Sequence, residues 1–239
     1  MPGGVYAAVS GMRTRLEELD RIAADLSNVD TAGYKIERSS SYASERDLFE
    51  QALDSAVDVV GGGTRVDFRG GTIATTGRDL DLALEGRGFL VVDTPRGERF
   101  TRNGSLTRRT DGVLTTGSGD PVLGEDGPIT LPSGTVAVSQ DGTIRVNDTV
   151  VGRIRIVEFA SGSDLLRESG AVYRAVTGAE PGPSNARIVS GALEESNVAA
   201  VDRMVALTEV TRTFESLQRG ISVLMNELDG RAITEIGRR

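Results

Sequence analysis

The sequence contains no cysteine, no histidine and no tryptophan. Without a thiol or an imidazole there is no Ser-His or Cys-His nucleophile, no thiolate or imidazole zinc site, and no disulfide. Lysine occurs once, at Lys35, so arginine carries nearly all of the positive charge and Schiff-base chemistry has a single candidate. Four Tyr and six Phe leave little material for stacking on sugars or bases. The 27 basic and 35 acidic side chains give a formal charge of −8, a field that repels phosphate backbones, so nucleic acid is not an expected partner. No apolar run nears the roughly 18 residues that a spanning helix needs, the strongest being Phe89 to Val92, and no direct membrane span is expected. The first residues have no basic n-region and few apolar residues before Ser10, so a cleavable signal peptide is not expected either.

What is present is 239 residues, one or two domains with room for a sizeable core. Most of the 30 glycines fall between Gly61 and Gly191, with four before and three after. Gly and Pro punctuate turns and weaken helices, so the middle should hold short strands and the two ends can be helical.

At the N-terminal end, Val5, Val9, Met12, Leu16, Leu19, Ala23 and Leu26 follow one another at alternating steps of four and three. That is the a/d seam of a heptad repeat, a narrow stripe that faces a partner helix, with Glu17 and Arg21 placed as an (i, i+4) pair beside it. The C-terminal end repeats it at Leu207, Val210, Phe214, Leu217, Ile221, Leu224 and Leu228, with Glu215 and Arg219 as the matching pair. Asn197 stands where an N-cap would, and Asp202 falls where the helix dipole favours negative charge. At about 1.5 Å per residue, helices over Val5–Leu26 and Asn197–Asp229 span roughly 33 and 50 Å, more than the flank of a small β domain covers. The ends can pair as a hairpin within one chain. They can also leave off-seam residues such as Tyr6, Ile22 and Val205 for further copies to cover.

Period-two alternation marks half-buried strands at Asp79–Leu84, Thr135–Val138, Thr143–Val146 and Arg153–Ile156. Turn signals lie between them at Pro95–Gly97, Asn103–Gly104, Asp111–Gly112, Asp126–Gly127 and Asp141–Gly142. The expected fold class is therefore α+β: terminal heptad helices paired as a coiled coil, with a central antiparallel all-β domain. The expected divisions are an N-terminal helix and motif over 1–35, a polar connector over 36–63 with a weak helical patch around Leu48–Val57, the β domain over 64–193, and the C-terminal helix over 194–239. The carboxylates Asp79, Asp81 and Glu85 offer material for glycosidic hydrolysis or a Ca²⁺ site, but two residues apart on one strand reads as a solvated face. Asn103-Gly-Ser and Asn147-Asp-Thr match the glycosylation sequon and fall in expected turns. Glu194-Glu195 reads as charge preceding a helix start. No catalytic, cofactor or metal residue is expected.

Several quoted segments resemble a known family, the bacterial flagellar basal-body rod proteins and their hook relatives. Ser10-Gly-Met12, Leu19-Asp20 and Asn28-Val-Asp-Thr-Ala-Gly-Tyr-Lys35 are similar to the N-terminal rod motif. Gly191-Ala-Leu-Glu-Glu-Ser-Asn-Val198, followed by a heptad helix, is similar to the other terminal signature. Between them, Leu80–Phe89, Phe100-Thr-Arg-Asn-Gly104 and Pro121-Val-Leu-Gly124 resemble the central β motifs. The short connector, Thr101–Leu106 and Gly124–Ile129 look most like the proximal-rod member, with the distal-rod subunit as the alternative. Asp25, Ser27, Asp30 and Leu90 depart from the usual residues. The resemblance implies a structural subunit exported by the flagellar type III apparatus, with copies of itself and other rod subunits as partners, its helices forming an inner layer and its β domain an outer one. It implies assembly contacts at the seam residues and at Asn28, Gly33, Tyr34, Leu193, Asn197 and Val198. For those six, local capping and turn chemistry is the competing account, Gly33 supplying a backbone conformation and Tyr34 packing nearby. A cell-wall glycosidase and an adhesin-like module are the rivals from other classes.

Overall fold

The structure is a computed structural model in which residues 2–39 and 64–236 are described. The helical patch expected around Leu48–Val57 lies outside the described residues. Two long helices and a set of short strands, every pair of them antiparallel among the described residues, make the α+β architecture. The chain divides into two compact units. One holds the terminal helices α1 (Pro2–Ser27) and α2 (Ala200–Ile236), and the other joins residues 27–39 to 64–198.

Pro2 opens α1, where its fixed φ suits the first helical position and its missing N–H costs nothing. The Glu17 salt bridge comes from Arg13 at 3.1 Å instead of the expected Arg21. Beyond Ser27 the backbone turns: the Thr31 N–H and hydroxyl both donate to Asn28, at 3.1 Å each, and the Tyr34 N–H reaches back to the Thr31 carbonyl at 3.2 Å. The second helix starts at Ala200, three residues beyond Asn197, so Asn197 is not its N-cap. Asp202 does lie in the first turn, and the helix runs on past the expected end at Asp229 to Ile236.

In the β unit the largest sheet has six strands in the order Leu165–Ser169, Val172–Ala175, Gly97–Thr101, Phe89–Thr94, Ile156–Glu158 and Gly182–Pro183. The central strand Phe89–Thr94 explains the apolar run noted above. Successive side chains point to opposite faces, and here both faces are covered: Leu90 and Val92 enter a cluster with Leu82, Leu106, Leu114 and Ile144, while Phe89 and Val91 enter one with Phe100, Phe159 and Tyr173. Edge-to-face contacts of Phe89 with Tyr173 and of Phe100 with Phe159, at 5.8 and 4.8 Å between ring centroids, fill the aromatic side.

Thr143–Val146 alternates as expected, pairing with Val136–Val138 and Thr149–Arg153. Two other expected strands do not form as drawn. Leu82–Glu85 pairs with Arg187–Ser190 and buries Leu82, Ala83 and Leu84 in succession, so neither face is solvated. Arg153–Ile156 is a junction between strands: Arg153 ends one in the three-stranded sheet and Ile156 begins one in the six-stranded sheet, with Ile154 bridging to Gly124. Four of the turn signals hold glycines at positive φ, at Gly97, Gly112, Gly127 and Gly142. Gly104 instead marks a close approach, since a Cβ there would overlap the Leu82 carbonyl. The sequon at Asn147 is a two-residue hairpin loop, Asn147 and Asp148 both having positive φ as a type I′ turn requires.

Candidate functional site

Two groups of residues stand out, the faces of the helices and a polar junction inside the β unit. On α1, Val9 and Leu16 are 52% and 47% exposed, whereas Met12, Leu19 and Leu26 are half-buried and Ile22, expected off the seam, is buried. On α2, Val210 is buried and Leu207, Phe214, Leu217 and Ile221 are half-buried. Val201, Met204, Val205 and Val223 are exposed, by 73% at Val201. Val5, Leu224 and Leu228 lie on the helices but outside the residues whose side chains are described. The Arg203 guanidinium of α2 lies 3.8 Å from the buried carboxylate of Asp25 on α1, an ion pair between the two helices.

The junction gathers the two terminal motifs. Gly33, at a φ of +69°, presses against the Arg102 backbone, and its N–H donates to the Glu194 carbonyl at 2.7 Å. Tyr34 is fully buried with Ile36, Ala171 and Val198, and the Arg167 guanidinium lies 4.3 Å from its ring centre. The Asn197 N–H donates to the Tyr34 carbonyl at 3.3 Å. The Asn197 carboxamide, in place of capping α2, accepts the Ile36 N–H at 2.8 Å and donates to the carbonyls of Asp67 and Arg69 at 3.2 and 3.1 Å. Leu193 sits half-buried on the strand Ala192–Glu194, which pairs with Ile73–Thr75.

At its centre is an ion cluster that the charge pattern did not announce. The Glu194 carboxylate, expected to be solvated charge before a helix, is buried and accepts hydrogen bonds from Lys35 Nζ, from Arg102 Nε at 2.6 Å and from the Gly71 N–H at 2.9 Å. Arg102 also donates through Nη1 to the Gly88 carbonyl and through Nη2 to those of Leu84 and Gly86, at 2.9 to 3.0 Å. Lys35 Nζ also donates to the Arg69 carbonyl at 2.9 Å. These bonds pair most of the donors that burial would otherwise leave without acceptors. Burial acts to raise the Glu194 carboxyl, but the charges of Arg102 and Lys35 outweigh it and hold the carboxyl below its usual range. Burial also pulls the Lys35 ammonium below its ordinary value against the opposing pull of Glu194. The Tyr173 hydroxyl, which accepts the Lys35 N–H at 3.1 Å, is pushed up to about 12, chiefly by burial. The lone lysine was the one available sequence signal for this cluster, and it is sealed inside a salt bridge instead of being a reactive amine.

The carboxylates offered for hydrolysis are differently placed. Asp81 is buried, accepting the Thr76 hydroxyl at 2.7 Å and facing Arg78 at 3.3 Å, while Asp79 and Glu85 are exposed. The expected shared solvated face is thus incorrect, because Asp81 stands just before the strand Leu82–Glu85, bridged to Ser105, and is enclosed with its buried residues. Among the described residues no group of three or more metal-ligating side chains comes together.

Comparison with known proteins fits this layout. Residues 83–146 match the family model for the flagellar hook protein FlgE/F/G D1 domain, and residues 189–234 match that for the flagellar basal body rod FlgEFG protein C-terminal region. Both place the chain in the hook-and-rod class of flagellar structural proteins. A basal-body rod protein FlgF from Caulobacter vibrioides is 33% identical over 100% of this chain and 99% of its own. FlgF from Escherichia coli is 34% identical over 93% and 94%, and the rod protein FlgG from Bacillus subtilis is 32% identical over 89% and 91%. The chain belongs to the flagellar basal-body rod protein family and is most like FlgF. It is a structural protein and not an enzyme.

Proposed function

We propose that the chain is a structural subunit of the proximal part of the flagellar rod, built into it by its two terminal helices. The observation that carries this reading is the exposure of Val9, Leu16, Val201, Met204, Val205 and Val223 on helices whose seams are otherwise half-covered. In a lone chain this apolar area faces water, and burying it against neighbouring copies and other rod subunits would drive assembly at about 25 cal/mol per Å² before the entropic cost of association. The ion pair of Asp25 with Arg203 supports a coiled-coil pairing of the helices that brings Leu19, Leu26, Leu207 and Val210 into one seam. The terminal-motif residues Asn28, Gly33, Tyr34, Leu193, Asn197 and Val198 serve this assembly by holding together the β-unit segments next to each helix. Delivery by the flagellar type III export apparatus belongs to the same proposal, and a chain free of disulfides suits passage through a narrow channel.

The test replaces Phe214 and Leu217 with Asp in the chromosomal copy. Charge in the seam is expected to abolish incorporation into the basal body and swimming while the purified chain keeps a folded β unit. Normal swimming by these cells would refute the proposal.

A further inference from the structure

The buried cluster joins three distant parts of the chain. Lys35 comes from the N-terminal motif, Arg102 from the turn after the strand Gly97–Thr101, and Glu194 from the end of the last strand, 159 and 92 residues from its two cationic partners. Neither cation has another carboxylate among its hydrogen bonds, Arg102 being otherwise held by carbonyl oxygens and Lys35 by the Arg69 carbonyl. Around it, the same late segment supplies further closing contacts. The strand Arg187–Ser190 pairs with Leu82–Glu85 and sends Ile188 into the larger core, the Gly191 carbonyl accepts the N–H groups of Thr76 and Gly77, and Asn197 receives Ile36.

We infer that the β unit is a discontinuous folding unit that closes only when the segment from Arg187 to Val198 joins it, with Glu194 as the closing residue. Before that segment arrives, neither cation has a carboxylate to accept its hydrogen bonds, and Asp67, which also attracts Lys35, is committed to Arg38 and Arg69. Arg102 cannot shed its charge, and a buried cation without a partner is strongly unfavourable. A chain that emerges N-terminus first therefore stays open until residues up to 198 are free. The order of synthesis or passage through a pore is built into the fold: early collapse of the middle is penalised, and completion waits for the far end. This rests on contacts within the β unit and is independent of how the helices assemble.

The experiment is native-state hydrogen exchange on the full-length chain, wild type and Glu194→Gln. In the wild type, the amides of Gly33, Ile36, Gly71 and Ala192 are expected to exchange through the same global opening as those of Val91, Leu106 and Val122, with matching denaturant dependence. In Glu194→Gln, protection in both groups is expected to fall together, by about a hundredfold or more. A Glu194→Gln chain that does not fold at all is the same result at its limit, and the wild-type comparison still decides the matter. If the wild-type junction amides exchange through a separate, easier opening, or if the variant loses protection at the junction while the central strands keep theirs, the segment is a peripheral clasp and the inference is overturned.

Discussion

Gly33 has no side chain because the backbone of Arg102 occupies the space one would need. A Cβ at Gly33 would overlap the Arg102 carbonyl group, and the φ of +69° adds the strain of a left-handed backbone. Gly33→Ala therefore meets two penalties, about 1–2 kcal/mol for the conformation and a further one for displacing backbone that cannot swing aside. Gly77, at a φ of +75° with open space around its Cβ position, meets the first penalty alone. Urea denaturation followed by circular dichroism should place Gly33→Ala well below Gly77→Ala in stability, and equal losses would show that the contact with Arg102 is unimportant.

Asn197 ties the N-terminal motif to the β unit without capping the helix that follows. Asn197→Ala removes the acceptor of the buried Ile36 N–H and the donor to two carbonyls, a loss of about 1–3 kcal/mol. Because α2 begins at Ala200, its helical signal in far-ultraviolet circular dichroism should be unchanged at temperatures where the β unit is folded. A selective loss of helicity would return Asn197 to the capping role.

Acid should act through Asp67. Burial works to raise its carboxyl, but hydrogen bonds from the Arg69 side chain and backbone and from Arg38 prevail and bring it down to about 2. A carboxyl depressed in the folded state favours folding above its unfolded pKa, near 4, and that contribution is lost as pH falls toward 2. The stability difference between the wild type and Asp67→Asn should be constant at neutral pH and shrink between pH 4 and 2. A difference that does not change over that window would remove Asp67 from the acid response.

The helices were legible because a heptad seam is a local, repeated signal, and both were found close to Pro2–Ser27 and Ala200–Ile236. Hairpin turns were legible for the same reason: Gly112 and Gly142 announce their own backbone conformation. The sequence could not reveal what depends on distant partners. Glu194 looks like a solvated carboxylate until Arg102 and Lys35, 92 and 159 residues away, are brought to it. Alternation through Arg153–Ile156 also continues unbroken across a change of sheet, since period two reports which way side chains point and not which strand they belong to. Asn197 is a residue type that caps helices and stands just before one, yet its carboxamide is committed to Ile36, 161 residues away.

The outer face of α2 separates folding from assembly. Val201 and Val205 are one helical turn apart and exposed by 73% and 54%, so Glu at both positions changes surface that the lone chain does not bury. Substitutions of this kind away from packed features usually shift stability by less than about 0.5 kcal/mol each, and the purified variant should melt close to the wild type. In the cell the same two charges would enter an interface between copies, where each unpaired carboxylate costs several times more than an exposed one. Expected together are an unaltered melting curve, a secreted or accumulating but unincorporated subunit, and basal bodies that stop short of a complete rod. Incorporation at the wild-type level would show that this face of α2 stays in solvent after assembly, and would move the contact to Val9 and Leu16 on α1.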